Sequence, residues 1–247
     1  MKLYGGYTRF VGGRWLPGQA CLRLFRAVAV AVLLLANQLK DGAAIAAPSA
    51  PGVHVYLMRG VLNVFSLGLD DIAAKLQAQG INATVSNYLF WSSVADDAAA
   101  EYRSGKIRTI ILVGHSSGAT VLPDMVARLD RLGAPVKLAI GLDSVFRTSL
   151  SGRVGRYINF YVANGNGEPV APTRQLHGAL ENVDVGKTGV GHLTIDKSEY
   201  MQRRVISAID AVAFGRPAEP SGAPRPPEAS AAQPKPGKAG VASSARN

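Results

Sequence analysis

Short apolar segments alternate with amphipathic segments along the middle of the chain. Five segments have the consecutive β-branched and large apolar residues typical of buried strands, namely residues 54–58, 82–89, 109–113, 136–141 and 156–162. Between and after them, apolar residues recur at helical spacing over residues 69–80, 93–104, 119–132 and 198–214. This alternation predicts an α/β domain built on a mostly parallel sheet with helices on both faces.

The two ends of the chain depart from this pattern. The apolar run at residues 27–36 is too short to span a hydrocarbon core of about 30 Å, but it follows a basic segment and precedes Ala44-Ile45-Ala46, as in a signal peptide. We therefore predict that residues 1–46 are a signal peptide or N-terminal apolar segment and that the protein is exported, to the periplasm or outside the cell. An uncleaved membrane anchor and a buried helix of a cytoplasmic protein are the alternatives.

The C-terminal segment, residues 216–247, is rich in Pro, Ala, Ser and Gly and has almost no large apolar residue. Such a composition cannot bury enough surface to offset the entropy lost on ordering, so we predict a disordered tail. We predict that the remaining residues, 47–215, form one globular domain.

Charge and cysteine content exclude several function classes. The chain holds 27 Lys and Arg against 17 Asp and Glu, but residues 47–215 hold 16 against 14, so the basic excess belongs to the ends and does not predict nucleic-acid binding. Cys21 is the only cysteine, and the four histidines are far apart in sequence. We therefore predict no disulfide, no metal and no cofactor. Membrane contact is expected only through an uncleaved N-terminal segment, and the oligomeric state is left open.

The segment Gly114-His115-Ser116-Ser117-Gly118 is the strongest chemical motif. It has the form G-x-S-x-G, and it lies between a buried strand and an amphipathic helix. That context is the one a nucleophile elbow requires, because a serine held in a sharp strand-to-helix turn needs glycines where side chains would collide with neighbouring backbone. Ser116 is thus the predicted nucleophile. The alternative is an ordinary Gly-Ser turn in which Ser116 caps the helix.

A serine nucleophile needs a base to take its proton and a carboxylate to orient that base, in the chain order Ser, acid, His on this kind of fold. His192 lies in a glycine-containing loop just before the last helix and is the predicted base, with His177 as the competitor. Asp143 directly follows the strand at 136–141, at the sheet edge where active sites gather, and is the predicted acid. Glu168 and Asp184 are the alternative acids.

Four further residues complete the predicted site. The backbone N–H of Ser117 and that of Gly60, in the loop after the first strand, are the expected oxyanion donors. Arg59 and His115 are assigned to substrate binding. The competing interpretation of Arg59 is a solvated surface side chain.

Gly114 to Gly118, Asp143 and His192 together resemble the α/β-hydrolase superfamily, in the small size range of thioesterase-like and cutinase-like members without a large lid. The resemblance runs from about His54 to Phe214 and includes the position of Asp143, since thioesterase domains and certain lipases carry the acid after this earlier strand. It implies that Ser116 cleaves an ester or thioester of a small acyl substrate through an acyl-enzyme. A non-catalytic binding or scaffold protein on the same fold, and a peptidase or amidase with the same triad, are the alternatives.

Overall fold

The computed structural model describes residues 49–61, 66–165 and 167–216. Within them, six strands form one sheet in the order β2-β1-β3-β4-β5-β6, and every neighbouring pair is parallel. The strands are β1 Val53–Arg59, β2 Asn82–Asn87, β3 Thr109–His115, β4 Val136–Leu142, β5 Ser149–Tyr161 and β6 Ala171–Asp184.

In the described part of the chain, five α-helices cover the sheet, and both faces carry an apolar core. The helices are α1 Gly68–Ala78, α2 Trp91–Arg103, α3 Ser117–Thr120, α4 Leu122–Arg131 and α5 Glu199–Phe214. Buried residues of α1 and α5 share one core cluster, and buried residues of α2 and α4 share the other. The predicted parallel sheet with helices on both faces is therefore confirmed.

The central strands β1, β3 and β4 are mostly apolar because they are covered on both sides. In β3, all residues from Ile110 to His115 are buried, and β1 and β4 are buried nearly as completely. The chain first moves from β1 outward to the edge strand β2, and it then returns across β1 to form β3 on the other side. The direction in which strands are added therefore reverses between β1 and β3. At such a reversal the loops after the two strands diverge and leave a crevice at the carboxyl ends. Gly60 and Ser116 flank that crevice.

Strands β5 and β6 differ from the prediction. Strand β5 starts seven residues before the predicted residue 156, and no strand was predicted over Ala171–Asp184. Most side chains of β6 are exposed or half-buried, so the strand lacks the apolar run that marks a buried strand. Its pairing with β5 shifts register between Leu150 and Gly152 and again between Arg153 and Arg156.

The predicted N-terminal segment and most of the predicted C-terminal tail lie outside the described residues. Within the described ranges, no helix is long and apolar enough to cross a membrane. In the same ranges, no group of three or more His, Cys, Asp or Glu side chains is placed to hold a metal ion.

Candidate active site

Ser116 occupies a strained turn between β3 and α3. Its backbone has φ 60° and ψ −124°, a conformation that non-glycine residues rarely adopt. Its N–H donates to the carbonyl oxygen of Leu142 at 3.0 Å, and its own carbonyl accepts from the N–H of Thr120 at 3.0 Å. The turn is thus tied to β4 on one side and to the following helix on the other, and it projects the Ser116 hydroxyl from the carboxyl end of the sheet.

Close backbone contacts explain the glycines around this turn. A Cβ atom at Gly114 would lie 2.4 Å from the carbonyl oxygen of Gly118, and a Cβ at Gly118 would lie 1.9 Å from the carbonyl oxygen of Met58. A Cβ at Gly60 would lie 2.8 Å from Cβ of Ser116. Only glycine allows the helix, β1 and the serine turn to approach this closely.

Asp143 is held just after β4 in a second unusual backbone conformation, with φ 54°. Its carboxylate is fully buried, and its Oδ1 accepts the N–H of Val162 at 2.7 Å. Its own N–H donates to the carbonyl oxygen of Phe160 at 2.8 Å. These contacts with the end of β5 fix the carboxylate and leave Oδ2 directed at His192.

His192 joins the two residues. Its Nδ1 lies 2.7 Å from Oδ2 of Asp143, and its Nε2 lies 3.0 Å from Oγ of Ser116. The ring retains some solvent access, whereas the carboxylate has none. Since a carboxylate only accepts, Nδ1 carries the proton in the neutral ring and Nε2 has the free lone pair that faces the serine hydroxyl. This is the arrangement in which an imidazole can remove the proton from a serine.

A buried chain of hydrogen bonds supports the His192 loop from beneath. His115 is fully buried, and its Nε2 lies 2.8 Å from the carbonyl oxygen of His192. The carbonyl can only accept, so His115 Nε2 is the donor in this hydrogen bond. The other ring nitrogen, Nδ1, lies 2.8 Å from Oγ of Ser66 and accepts a hydrogen bond from that hydroxyl group. Ser66 Oγ in turn accepts the N–H of Gly60 at 3.0 Å. The network connects the loop after β1, the serine turn and the histidine loop.

Burial sets the protonation states around His115. Loss of hydration lowers the pKa of His115 below its usual range, which keeps the ring neutral as its hydrogen bonds require. Burial also raises the pKa of Asp196, whose Oδ2 lies 4.0 Å from His115 Nδ1 and accepts the N–H of Gly68 at 2.9 Å. This carboxylate thus anchors the start of α1 next to the network.

The structure brings together Ser116, Asp143 and His192, and it places the competitors elsewhere. His177 is exposed on β6, with its Nδ1 2.9 Å from the carbonyl oxygen of Gln175. Glu168 faces Arg147 at 3.4 Å. Asp184 Oδ1 accepts backbone N–H groups of Ala163 and Gly186, at 3.3 and 2.9 Å. Both alternative acids therefore contact groups other than His192.

Three of the predicted auxiliary roles are not supported. The N–H of Gly60, which was predicted as an oxyanion donor, donates to Ser66 Oγ, and Gly60 allows close approach to Ser116. The ring of His115, which was predicted as a substrate contact, is fully buried. Arg59 pairs through two guanidinium nitrogens with the carboxylate of Asp70 in the first turn of α1, so its charge is already matched within the fold.

Ser117 fits its predicted place, since it is the first residue of α3, where backbone N–H groups have no partner within the helix. Ser66 and Asp196 were not singled out from the sequence. Neither belongs to a recognisable motif, because Ser66 lies 49 residues from His115 and Gly68 lies 128 residues from Asp196. Only folding makes them neighbours of the site.

Comparisons with solved structures found low-identity similarities. A Xanthomonas campestris pv. campestris protein described as a hydrolase of the alpha/beta superfamily is 12% identical with a TM-score of 0.40, covering 64% of this chain and 98% of that one. An acetylxylan esterase is 18% identical with a TM-score of 0.38, and the match covers 63% of this chain and 95% of that one. YbtT, a type II thioesterase from the yersiniabactin pathway, is 11% identical with a TM-score of 0.40, and the match covers 68% of this chain and 96% of that one.

No protein-family model and no curated protein matches the chain. The strand order and the serine turn of the chain itself carry the fold assignment. An all-parallel sheet, a strained serine between a central strand and a helix, and an acid and a histidine that follow in that order constitute an α/β-hydrolase fold.

Proposed function

We propose that the protein is a serine hydrolase that cleaves a carboxylic ester or thioester through an acyl-enzyme on Ser116. The observation that carries the proposal is the continuous hydrogen-bonded chain from Ser116 Oγ through His192 to the buried Asp143 carboxylate. A serine that served only as a helix cap would need neither a histidine at 3.0 Å nor a strained backbone.

In the acylation step, Ser116 Oγ attacks the carbonyl carbon of the substrate while its proton passes to Nε2 of His192. The tetrahedral intermediate collapses as the bond to the leaving oxygen or sulfur breaks, and His192 Nε2 returns the proton to that leaving group. Asp143 stabilises the imidazolium without taking the proton. Water then attacks the acyl-enzyme with His192 as base, which releases the acid and restores the serine hydroxyl.

Backbone N–H groups would stabilise the negative oxygen of the intermediate. Ser117 supplies one donor at the start of α3. Since the Gly60 N–H is used by Ser66, we assign the second donor to Val61, the next residue of the same loop.

A fluorophosphonate probe tests this function on the full-length protein. The probe phosphonylates an activated serine, so we expect covalent labelling of the folded protein and a modified peptide whose fragments place the label on Ser116 and not on Ser117. Labelling should disappear in Ser116→Ala, in His192→Ala and in heat-denatured protein. Absence of labelling in folded protein would overturn the proposal in favour of a non-catalytic role.

The same geometry predicts that His115 is a positioning residue for His192. His115→Leu removes the donor to the His192 carbonyl and should lower kcat about 10- to 100-fold with little change in KM, because a misplaced base impairs the chemical step more than binding. His115→Gln retains an N–H donor at similar reach and should recover most of that loss. Steady-state kinetics on a soluble ester gives both parameters.

A purely structural role for His115 would have a different signature. Both variants would then lose activity in proportion to folded protein, with unchanged kcat per fluorophosphonate-titrated site. Equal kcat for His115→Leu and His115→Gln per titrated site would therefore contradict the positioning role.

A further inference from the structure

Six large hydrophobic side chains stand out on the surface. Each is between 45% and 68% exposed, and within the described ranges no other large hydrophobic residue is exposed to this degree. We refer to them as the apolar rim, which consists of Val61, Leu67, Leu89, Phe90, Phe146 and Leu193.

The rim lies around the candidate active site. Val61 and Leu67 belong to the connection after β1, Leu89 and Phe90 follow β2, and Phe146 follows β4. Leu193 is the neighbour of His192 in sequence. The carboxyl ends of β2, β1, β3 and β4 are adjacent, so the rim spans about 14 Å at a strand spacing of about 4.8 Å, with Ser116 inside that span. The amino end of the sheet has no such residue among those described.

Hydrogen bonds hold the backbone of several of these residues in place. Leu89 and Phe90 lie in a short 3₁₀ helix, where the Asn87 side chain accepts the N–H of Leu89 at 2.9 Å. The Phe146 carbonyl accepts the hydroxyl of Ser144 at 2.9 Å. The Leu193 carbonyl accepts from Lys197 at 3.0 Å. The backbone segments that carry these exposed side chains are therefore held by contacts within the fold.

Exposed apolar patches are costly in water and mark surfaces that contact an apolar phase or partner. An acyl chain bound to Ser116 extends in one direction, so it cannot contact both Leu89 on the β2 side and Phe146 on the β4 side. A broad apolar surface can contact both.

We infer that the apolar rim docks the enzyme on aggregated lipid ester, such as a droplet or micelle, and that the substrate enters from that phase. The inference rests on the proposed function and adds a substrate class to it, namely a lipid ester at a lipid–water interface. Contact of the rim with the aggregate would bury apolar surface on both sides of Ser116 and present the ester carbonyl to it.

Hydrolysis of tributyrin below and above its solubility limit tests the inference on the full-length protein. The wild-type rate should rise at least fivefold beyond its dissolved-substrate value when droplets form. The double substitution Leu89→Ser, Phe146→Ser should lower the ratio of droplet to dissolved rate to about one. The matched control Leu89→Met, Phe146→Leu retains the apolar surface and should keep the ratio within about twofold of wild type.

The outcomes separate the two levels of the proposal. Hydrolysis of dissolved tributyrin without a rise at droplet formation would overturn the rim inference alone. A rise retained in the serine double variant, or lost equally in the apolar control, would also overturn it. Absence of both hydrolysis and fluorophosphonate labelling would overturn the proposed function, and the rim inference with it.

Discussion

Asp143→Asn is expected to lower kcat for ester hydrolysis about 10⁴-fold, with KM nearly unchanged. The reason lies in the second contact of the carboxylate. Oδ1 accepts the N–H of Val162 at 2.7 Å, so an asparagine must keep its oxygen there and turn its NH₂ group toward His192 Nδ1. Nδ1 must then accept, the ring proton moves to Nε2, and the lone pair facing Ser116 is lost.

Neighbouring carboxylates serve as matched controls for this prediction. Asp184→Asn keeps an oxygen for the N–H groups of Ala163 and Gly186, and Glu168→Gln changes a side chain that faces Arg147. Both should retain kcat within a few fold of wild type. Measurement of kcat and KM on one soluble ester, corrected for titrated active sites, compares the three variants. A loss at Asp184 or Glu168 as large as that at Asp143 would contradict the assignment of the acid.

Gly118→Ala is expected to destabilise the protein by about 3 kcal/mol or more, and it can prevent folding altogether. A Cβ at Gly118 would lie 1.9 Å from the carbonyl oxygen of Met58, which belongs to a fully buried stretch of β1. Two backbone segments would have to separate, and no side-chain rotation can relieve the clash. Separation would also disturb the serine turn.

Gly191→Ala is the control for this substitution. No atom lies within 4 Å of a Cβ at Gly191, so its denaturation midpoint should stay close to that of wild type. Chemical denaturation followed by circular dichroism gives the free energies of unfolding. A Gly118→Ala protein with wild-type stability would show that α3 does not pack on β1 as described.

The parts of the fold that the sequence predicted best are those buried on both sides. Strand β3 is entirely apolar from Ile110 to Val113 because its neighbours and both helical layers exclude water, and that uniformity is visible in the sequence. Strand β6 went unpredicted because an edge strand exposes most of its side chains and needs no apolar run. Strand β5 was predicted too short for a related reason, since several residues in its first half are exposed or half-buried.

The candidate site likewise has some features that the sequence predicted and others that it did not. The glycines at 114 and 118 could be interpreted from the sequence because the steric demand of a strand-to-helix turn is local. The preference for Asp143 over Glu168 and Asp184 needed the resemblance to known hydrolases, and the contact with His192 at 2.7 Å is a property of the folded chain. The contacts of His115 and Gly60 with Ser66 could not be predicted, because nothing in the local sequence shows that Ser66 lies between them.

The sequence by itself thus determined the class of fold and the serine around which the site is built, since both depend on local periodicity and local steric limits. Only the tertiary structure decided which carboxylate faces His192, which residues lie beneath its loop and how exposed apolar side chains surround Ser116. The hydrogen bonds of His115 and His192 join residues between 49 and 77 positions apart, and their energies depend on burial and distance that no short segment encodes.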